Sequence, residues 1–263
     1  RASRPAGNSR PLMSEKPAST GGAPATSAAD TVAAQAPDMD TIVSLANRSG
    51  SGSTSMSGTS MACPHIAGAM ALLRQLHPDW TVEELKASIL GTSTNNLFTA
   101  PSQGLPVYGP ARVGTGRTDL DVASQPTLLV YGTDTPGAVS VSFGRPEVVG
   151  SWSATRTARL VNKSAGSLTA TVTLQTVVDM PGVTFSLPGG SQVNVPGHGS
   201  ATFTIAAAAE GPLMQHSREA SVAATLGCIT RHWLSEEAAY VGVEAPGQPT
   251  QRLAVYAAPR PAS

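Results

Sequence analysis

From Thr127 onward the chain is broken at short, regular intervals, and this punctuation limits its fold more than any other feature. Thr127–Tyr131, Ala138–Phe143, Thr155–Val161, Leu168–Val178, Val183–Leu187, Gln192–Val195 and Ala201–Ile205 are short runs parted by Gly, Pro and Asn turns. Leu168, Ala170, Val172 and Leu174 alternate with polar or small residues, the period of a strand with one buried face. Several short strands at this spacing predict a β-sandwich. Ala238–Val243 and Arg252–Ala257 complete or extend it. No internal repeat is visible.

The stretch before residue 124 has a different period. From Ser60 to about Leu76, Ala62, Ile66, Met70 and Leu73 recur on one helical stripe. Ala67, Ala71 and Leu72 make the pattern apolar nearly all round, which predicts a buried helix. Pro64 is assigned to its first turn, where a missing N–H matters little. His77-Pro78-Asp79 ends it, and Thr81-Val82-Glu83-Glu84 reads as a capping box opening a second helix that runs to Gly91. Trp80 and Leu85 suit a hydrophobic staple, with Val82, Leu85 and Ile89 facing inward. Residues 1–35 are rich in Pro, Ser, Ala and Gly and read as a loop or disordered lead-in. At 263 residues the chain has room for about two domains.

Chemistry enters where the two patterns of the helical part meet. The Gly/Ser-rich loop 48–58 feeds Ser60 directly into the start of the apolar helix. A hydroxyl at a helix N-terminus sits beside free N–H groups and a dipole that favour a developing negative charge. That suits a serine nucleophile and the oxyanion of acyl transfer. His65 follows five residues later, but it reads as a structural histidine, because neighbouring helical positions do not aim side chains at one point.

The run Gly58-Thr59-Ser60-Met61-Ala62-Cys63-Pro64-His65-Ile66-Ala67-Gly68 resembles the serine motif of subtilisin-like proteases, G-T-S-M-A-x-P-H-[IV]-A-G, at every fixed position. His77–Lys86 is similar to the family's segment after that helix, and Gly114-Thr115-Gly116-Arg117-Thr118-Asp119 to its closing G-x-G-R-x-[DN]. Residues 36–45 resemble the family's A-P-G-x-x-I strand, with Asp38 where Gly is usual. Ala6-Gly7-Asn8-Ser9 resembles the A-G-N-x segment whose Asn completes the oxyanion hole. Asn8 lies closer to Ser60 than the family spacing, and an Asn in a polar tail is the other reading. Pro181–Phe185 and Val195–Phe203 resemble the fibronectin-III-like domain of large secreted subtilases.

The resemblance implies an α/β fold, a partial subtilisin-like parallel-sheet domain over residues 36–123, followed by an all-β fibronectin-III-like sandwich over residues 124–263 with a C-terminal extension. It implies a secreted, extracellular or cell-surface serine endopeptidase acting on polypeptides through an acyl-enzyme on Ser60, without a cofactor or metal. The family order of the triad is Asp, His, Ser. All five histidines (His65, His77, His198, His216, His232) follow Ser60, and Asp30, Asp38 and Asp40 are not in the family's D-[ST]-G setting. A Ser-first triad of the α/β-hydrolase kind would want G-x-S-x-G, and position 62 is Ala. The chain opens at Arg1, so the expectation is a C-terminal portion whose Asp and His region is supplied in cis or in trans. The alternative is a non-catalytic binding or structural module derived from a subtilase.

Other features narrow the field. The formal net charge is zero, which gives no electrostatic case for nucleic acid or an anionic membrane. No apolar run approaches the roughly 18 residues that suggest a bilayer span. Asp38 and Asp40 read as a solvated turn rather than a cation site. Cys63 reads as a buried small side chain behind the serine, and a Cys63–Cys228 bridge as the less favoured reading. Arg231-His232-Trp233-Leu234 is either a binding edge or a loop anchored by a buried Trp.

Overall fold

A computed structural model describes residues 42–56, 58–95, 97–98 and 107–262. Asn8, Asp30, Asp38, Asp40 and the lead-in 1–35 lie outside the described residues.

The chain order is β1 (Ile42–Leu45), β2 (Ser53–Met56), α1 (Thr59–Leu76), α2 (Val82–Gly91), α3 (Pro110–Val113), α4 (Leu120–Ala123) and β3 (Leu128–Gly132). It continues through β4 (Val141–Ser142), β5 (Glu147–Val148), β6 (Ser151–Asn162), β7 (Leu168–Val178), β8 (Val183–Ser186), β9 (Gln192–Val195) and β10 (Ser200–Glu210). The last elements are β11 (Thr225–Leu226), β12 (Ile229–Thr230), β13 (Glu237–Glu244), β14 (Gln251–Ala257) and β15 (Arg260–Pro261).

The expected sandwich is present. One sheet has the order β3-β6-β10-β8, and the other β4-β14-β13-β7-β9. Pairing is antiparallel within both, except that the short β4 joins the edge of β14 in parallel. The period-2 pattern decides which side chains meet between the sheets. Leu160, Phe203, Ile205 and Phe185 come from one sheet, and Val172, Val241, Val243 and Val255 from the other, in one buried cluster. Most predicted strands lie within a few residues of the observed ones. The chief extension is β10, which runs on through Ala206–Ala209 because that stretch pairs with β6 on one side and β8 on the other. Ala207 and Ala209 are buried there, so packing overrides alanine's weak strand preference.

The helical part attaches to the sandwich through α2. Its capping box forms as read: Glu84 N–H donates to Thr81 Oγ1 (3.2 Å) and Thr81 N–H to Glu84 Oε2 (2.8 Å). Leu85 and Ile89 pack with Leu73, Trp80, Ala123 and Leu129 of β3, which explains why β3 is buried on both faces. Val82, expected inside, is 54% exposed. It is the first residue of the helix. At the far end Gly91 lets Gln251 of β14 approach closely: a Cβ there would fall 2.2 Å from Gln251 Oε1.

Two expectations for residues 42–123 are corrected. No parallel sheet occurs among the described residues of this stretch. Its sheet is the antiparallel hairpin β1–β2, in register Ile42↔Met56 through Leu45↔Ser53. A parallel sheet needs strands brought side by side by crossovers, and two short strands joined by a turn pair antiparallel. The loop expected over 48–58 is thus in part a strand. The second correction is α1: it is not buried all round, and only Ala69 and Leu73 are buried.

Candidate active site

Ser60 occupies the second position of α1, in its first turn. The cap before it is Gly58, at φ 137° and ψ 172°, a backbone state that side-chain-bearing residues rarely adopt. A Cβ there would meet nothing within 4 Å, so conformation rather than space calls for glycine. Met61 and Ala62 N–H both donate to Gly58 O, at 3.0 and 3.3 Å, and this sets the helix in motion directly after the turn. No acidic residue lies in the first turn, so nothing there offsets the positive end of the helix dipole. Ser60 is solvent-exposed.

Pro64 is the sixth residue of α1 rather than part of its first turn. It has no N–H to give to Ser60 O four residues back, so the backbone around Ser60 is held less tightly than a regular turn. His65 Nδ1 lies 2.7 Å from Met61 O. A carbonyl can only accept, so Nδ1 carries the proton and is committed to the helix's own backbone. No hydrogen bond to Ser60 Oγ occurs among the described residues. His77 stacks on Trp80 with centroids 3.8 Å apart, and His216 stacks on Trp233. Among the described residues, no histidine is hydrogen-bonded to Ser60. Cys63, expected to be buried, is exposed, and so is Cys228; both are free thiols. The face of α1 that carries Cys63 meets solvent.

Large apolar side chains of α1 and β1 are open to solvent. Leu72 and Leu76 of α1 are 56% and 55% exposed, and Val43 and Leu45 of β1 are 62% and 77% exposed. The inward stripe read from the sequence holds in part, since Leu73 is buried and Ala62, Ile66 and Met70 are half-buried. Sequence reasoning missed the brace at the start of α2. Lys163, at the β6–β7 turn, puts Nζ 2.5 Å from Glu84 Oε1 and 6.0 Å from the centroid of the Trp80 ring. Asn162, fully buried, shapes that turn by accepting from Ser164 N–H (2.9 Å) and donating to Gly166 O (2.7 Å). No local spacing could signal a contact between residues so far apart in sequence.

The sequence profile of the subtilase family (peptidase S8) matches residues 14–116, which include Ser60, all of α1 and all of α2. The chain carries a partial subtilase domain. Its relatives include the Arabidopsis thaliana subtilisin-like protease SBT4.3, 42% identical over 81 residues, or 30% of this chain and 10% of that protein. The minor extracellular protease Vpr of Bacillus subtilis is 33% identical over 144 residues, which covers 55% of this chain and 16% of Vpr. The subtilase match thus spans between a tenth and a sixth of each of these two proteins. Among solved structures, PapD-like domain 7 of human CEP192 aligns with 53% of this chain and 89% of its own at 9% identity. Its TM-score of 0.31 is too low to bear on the sandwich's kinship or role. No helix among the described residues is long and apolar enough to cross a membrane.

Proposed function

We propose that this chain supplies the nucleophile segment of a secreted subtilisin-like serine endopeptidase. The observation that carries the reading is the placement of Ser60: exposed, in the first turn of α1, directly after a glycine turn, inside the subtilase segment. Ser60 Oγ attacks the scissile peptide carbonyl as a histidine takes its proton. Backbone N–H groups at the start of α1 and an Asn amide hold the oxyanion. The amine leaves with the proton from the histidine, and water then clears the acyl-enzyme. Since every histidine of this chain follows Ser60, the Asp and His come from a further segment, in cis or in trans. Ser60 is the one catalytic residue assigned here, and the substrate is a polypeptide. Residues 36–123 form the peptidase portion, and residues 124–263 form a fibronectin-III-like sandwich with a C-terminal extension.

The second reading, a non-catalytic module, rests on the absence of any described histidine bonded to Ser60. A fluorophosphonate probe applied to this chain and to Ser60→Ala separates the two. Labelling that Ser60→Ala abolishes supports a working nucleophile. If neither labels, even after addition of an Asp- and His-bearing subtilase segment, the non-catalytic reading stands.

A further inference from the structure

Well away in sequence from α1, a cleft of about 390 Å³ opens among the loops at one end of the sandwich. Met180, His216, Trp233, Leu234, Arg260 and Pro261 give it its character. Trp233 is half-buried and stacks on His216 with centroids 5.3 Å apart and planes 10° from parallel, while the Arg218 guanidinium lies 5.8 Å from the indole centroid. This explains the Arg231–Leu234 run: its Trp is held by residues some fifteen positions earlier. Trp233 Nε1–H is nevertheless buried without an acceptor among the described residues, an uncommon condition for an indole donor. Leu234 is 53% exposed beside it.

The remaining wall limits the occupant. Arg260 and Ala262 N–H donate towards β5, to Pro146 O and Val148 O, both at 2.9 Å. The residues that would donate in the opposite direction are Pro259 and Pro261, which have no N–H. That edge cannot donate to an added strand, so a ligand is read by side chains and by the indole rather than by sheet extension. None of the cleft-lining residues is acidic, whereas His216 and Arg260 are both exposed. Glu147, the register partner of Arg260, forms no ion pair with it.

We propose that this cleft binds an extended, acid-bearing segment of polypeptide, independently of Ser60. A bulky apolar or proline side chain seats against Leu234 and Pro261. A backbone carbonyl takes the Trp233 indole proton after a small turn of the ring, and a carboxylate faces Arg260. The occupant is a peptide rather than a glycan, because the Trp233 ring is already engaged by His216 and Arg218.

The test uses the full chain carrying Ser60→Ala, so that capture at the nucleophile cannot contribute, on an array of random-sequence dodecapeptides beside a glycan array. Expected is selection of peptides that pair Asp or Glu with Pro, Leu or an aromatic. Binding should fall at least ten-fold in Leu234→Ser and reverse its charge preference in Arg260→Glu. Both substitutions are at exposed positions, and an unchanged circular dichroism spectrum guards against misfolding. Peptides bound equally by all three proteins, no selection at all, or binding confined to the glycan array overturns the proposal. None of these outcomes touches the fluorophosphonate result, so the two readings fail separately.

Discussion

α1 and α2 are consecutive helices of one subtilase segment, with similar apolar content and opposite surroundings. Seven of the ten residues of α2 are buried, among them Leu85, Ile89 and the capping Glu84, against two of eighteen in α1. The difference is in what each finds to pack on. α2 lies on β3 and β14 of the sandwich and is braced by Lys163. α1 packs on that core through Ala69, Leu73 and the half-buried Met70, and presents Leu72 and Leu76 to solvent. An amphipathic pattern states how much surface a helix should bury, but not whether the partner is present. Burying a Leu contributes about 1.5–3 kcal/mol, so the exposed side of α1 with the β1–β2 hairpin forgoes several such increments.

Amide hydrogen exchange addresses that contrast with the largest expected effect. Amides of α2, β7 and β13 should open only with global unfolding, while those of β1, β2 and the first turns of α1 open locally. Protection should then differ by about 10³-fold or more, given a domain stability of a few kcal/mol at least. Uniform protection from residue 58 to residue 90 would remove the distinction between the helices.

Truncation of matched leucines comes next. Leu85→Ala, at 2% exposure in the α2 cluster, should destabilise by about 2–5 kcal/mol in urea unfolding. Leu72→Ala in α1 should stay within about 0.5 kcal/mol. If the two costs are similar, α1 is covered in solution by something that holds it as firmly as the sandwich holds α2.

What was legible in the sequence divides along the same line. The capping box at Thr81, the end at Gly91 and most strands were readable because local chemistry and period fix them. Turn residues punctuate the strands, and Thr81 and Glu84 satisfy each other's neighbourhood. The serine turn was readable too, since Gly58 and the helix start are adjacent in sequence. Burial of α1 was not, because an apolar stripe cannot report a missing partner. Strand β2 escaped for a related reason: Ser53–Met56 is polar and short, and only its pairing with β1 makes it a strand. The alanine run of β10, the Glu84–Lys163 brace and the Trp233 stack arise from residues brought together by the fold, at separations no motif spans.

A smaller effect can widen the gap between the regions by pH alone. Glu237, at the start of β13, is 2% exposed and accepts a hydrogen bond from Met180 N–H at 2.6 Å. Burial pushes its carboxyl up to about 7; the Met180 N–H opposes this and the Asp179 charge adds to it. Glu236 shifts in the same direction, chiefly by burial. A carboxyl raised on folding binds more protons in the native state than in the unfolded one, so stability is highest below the unfolded value near 4.5 and falls as pH rises through about 7. Between about pH 5 and pH 8 the Glu237 contribution amounts to roughly 2–3 kcal/mol. Urea midpoints should therefore rise on acidification over that window, with protection in β13 rising alongside. Glu237→Gln keeps an oxygen for Met180 N–H and removes the titration, so it should flatten the profile to the slope that Glu236 contributes. Stability that instead increases towards pH 8 would mean that Glu237 is ionised and paired in the native sandwich, and that the anchored region is wetter at the base of β13 than its burial implies.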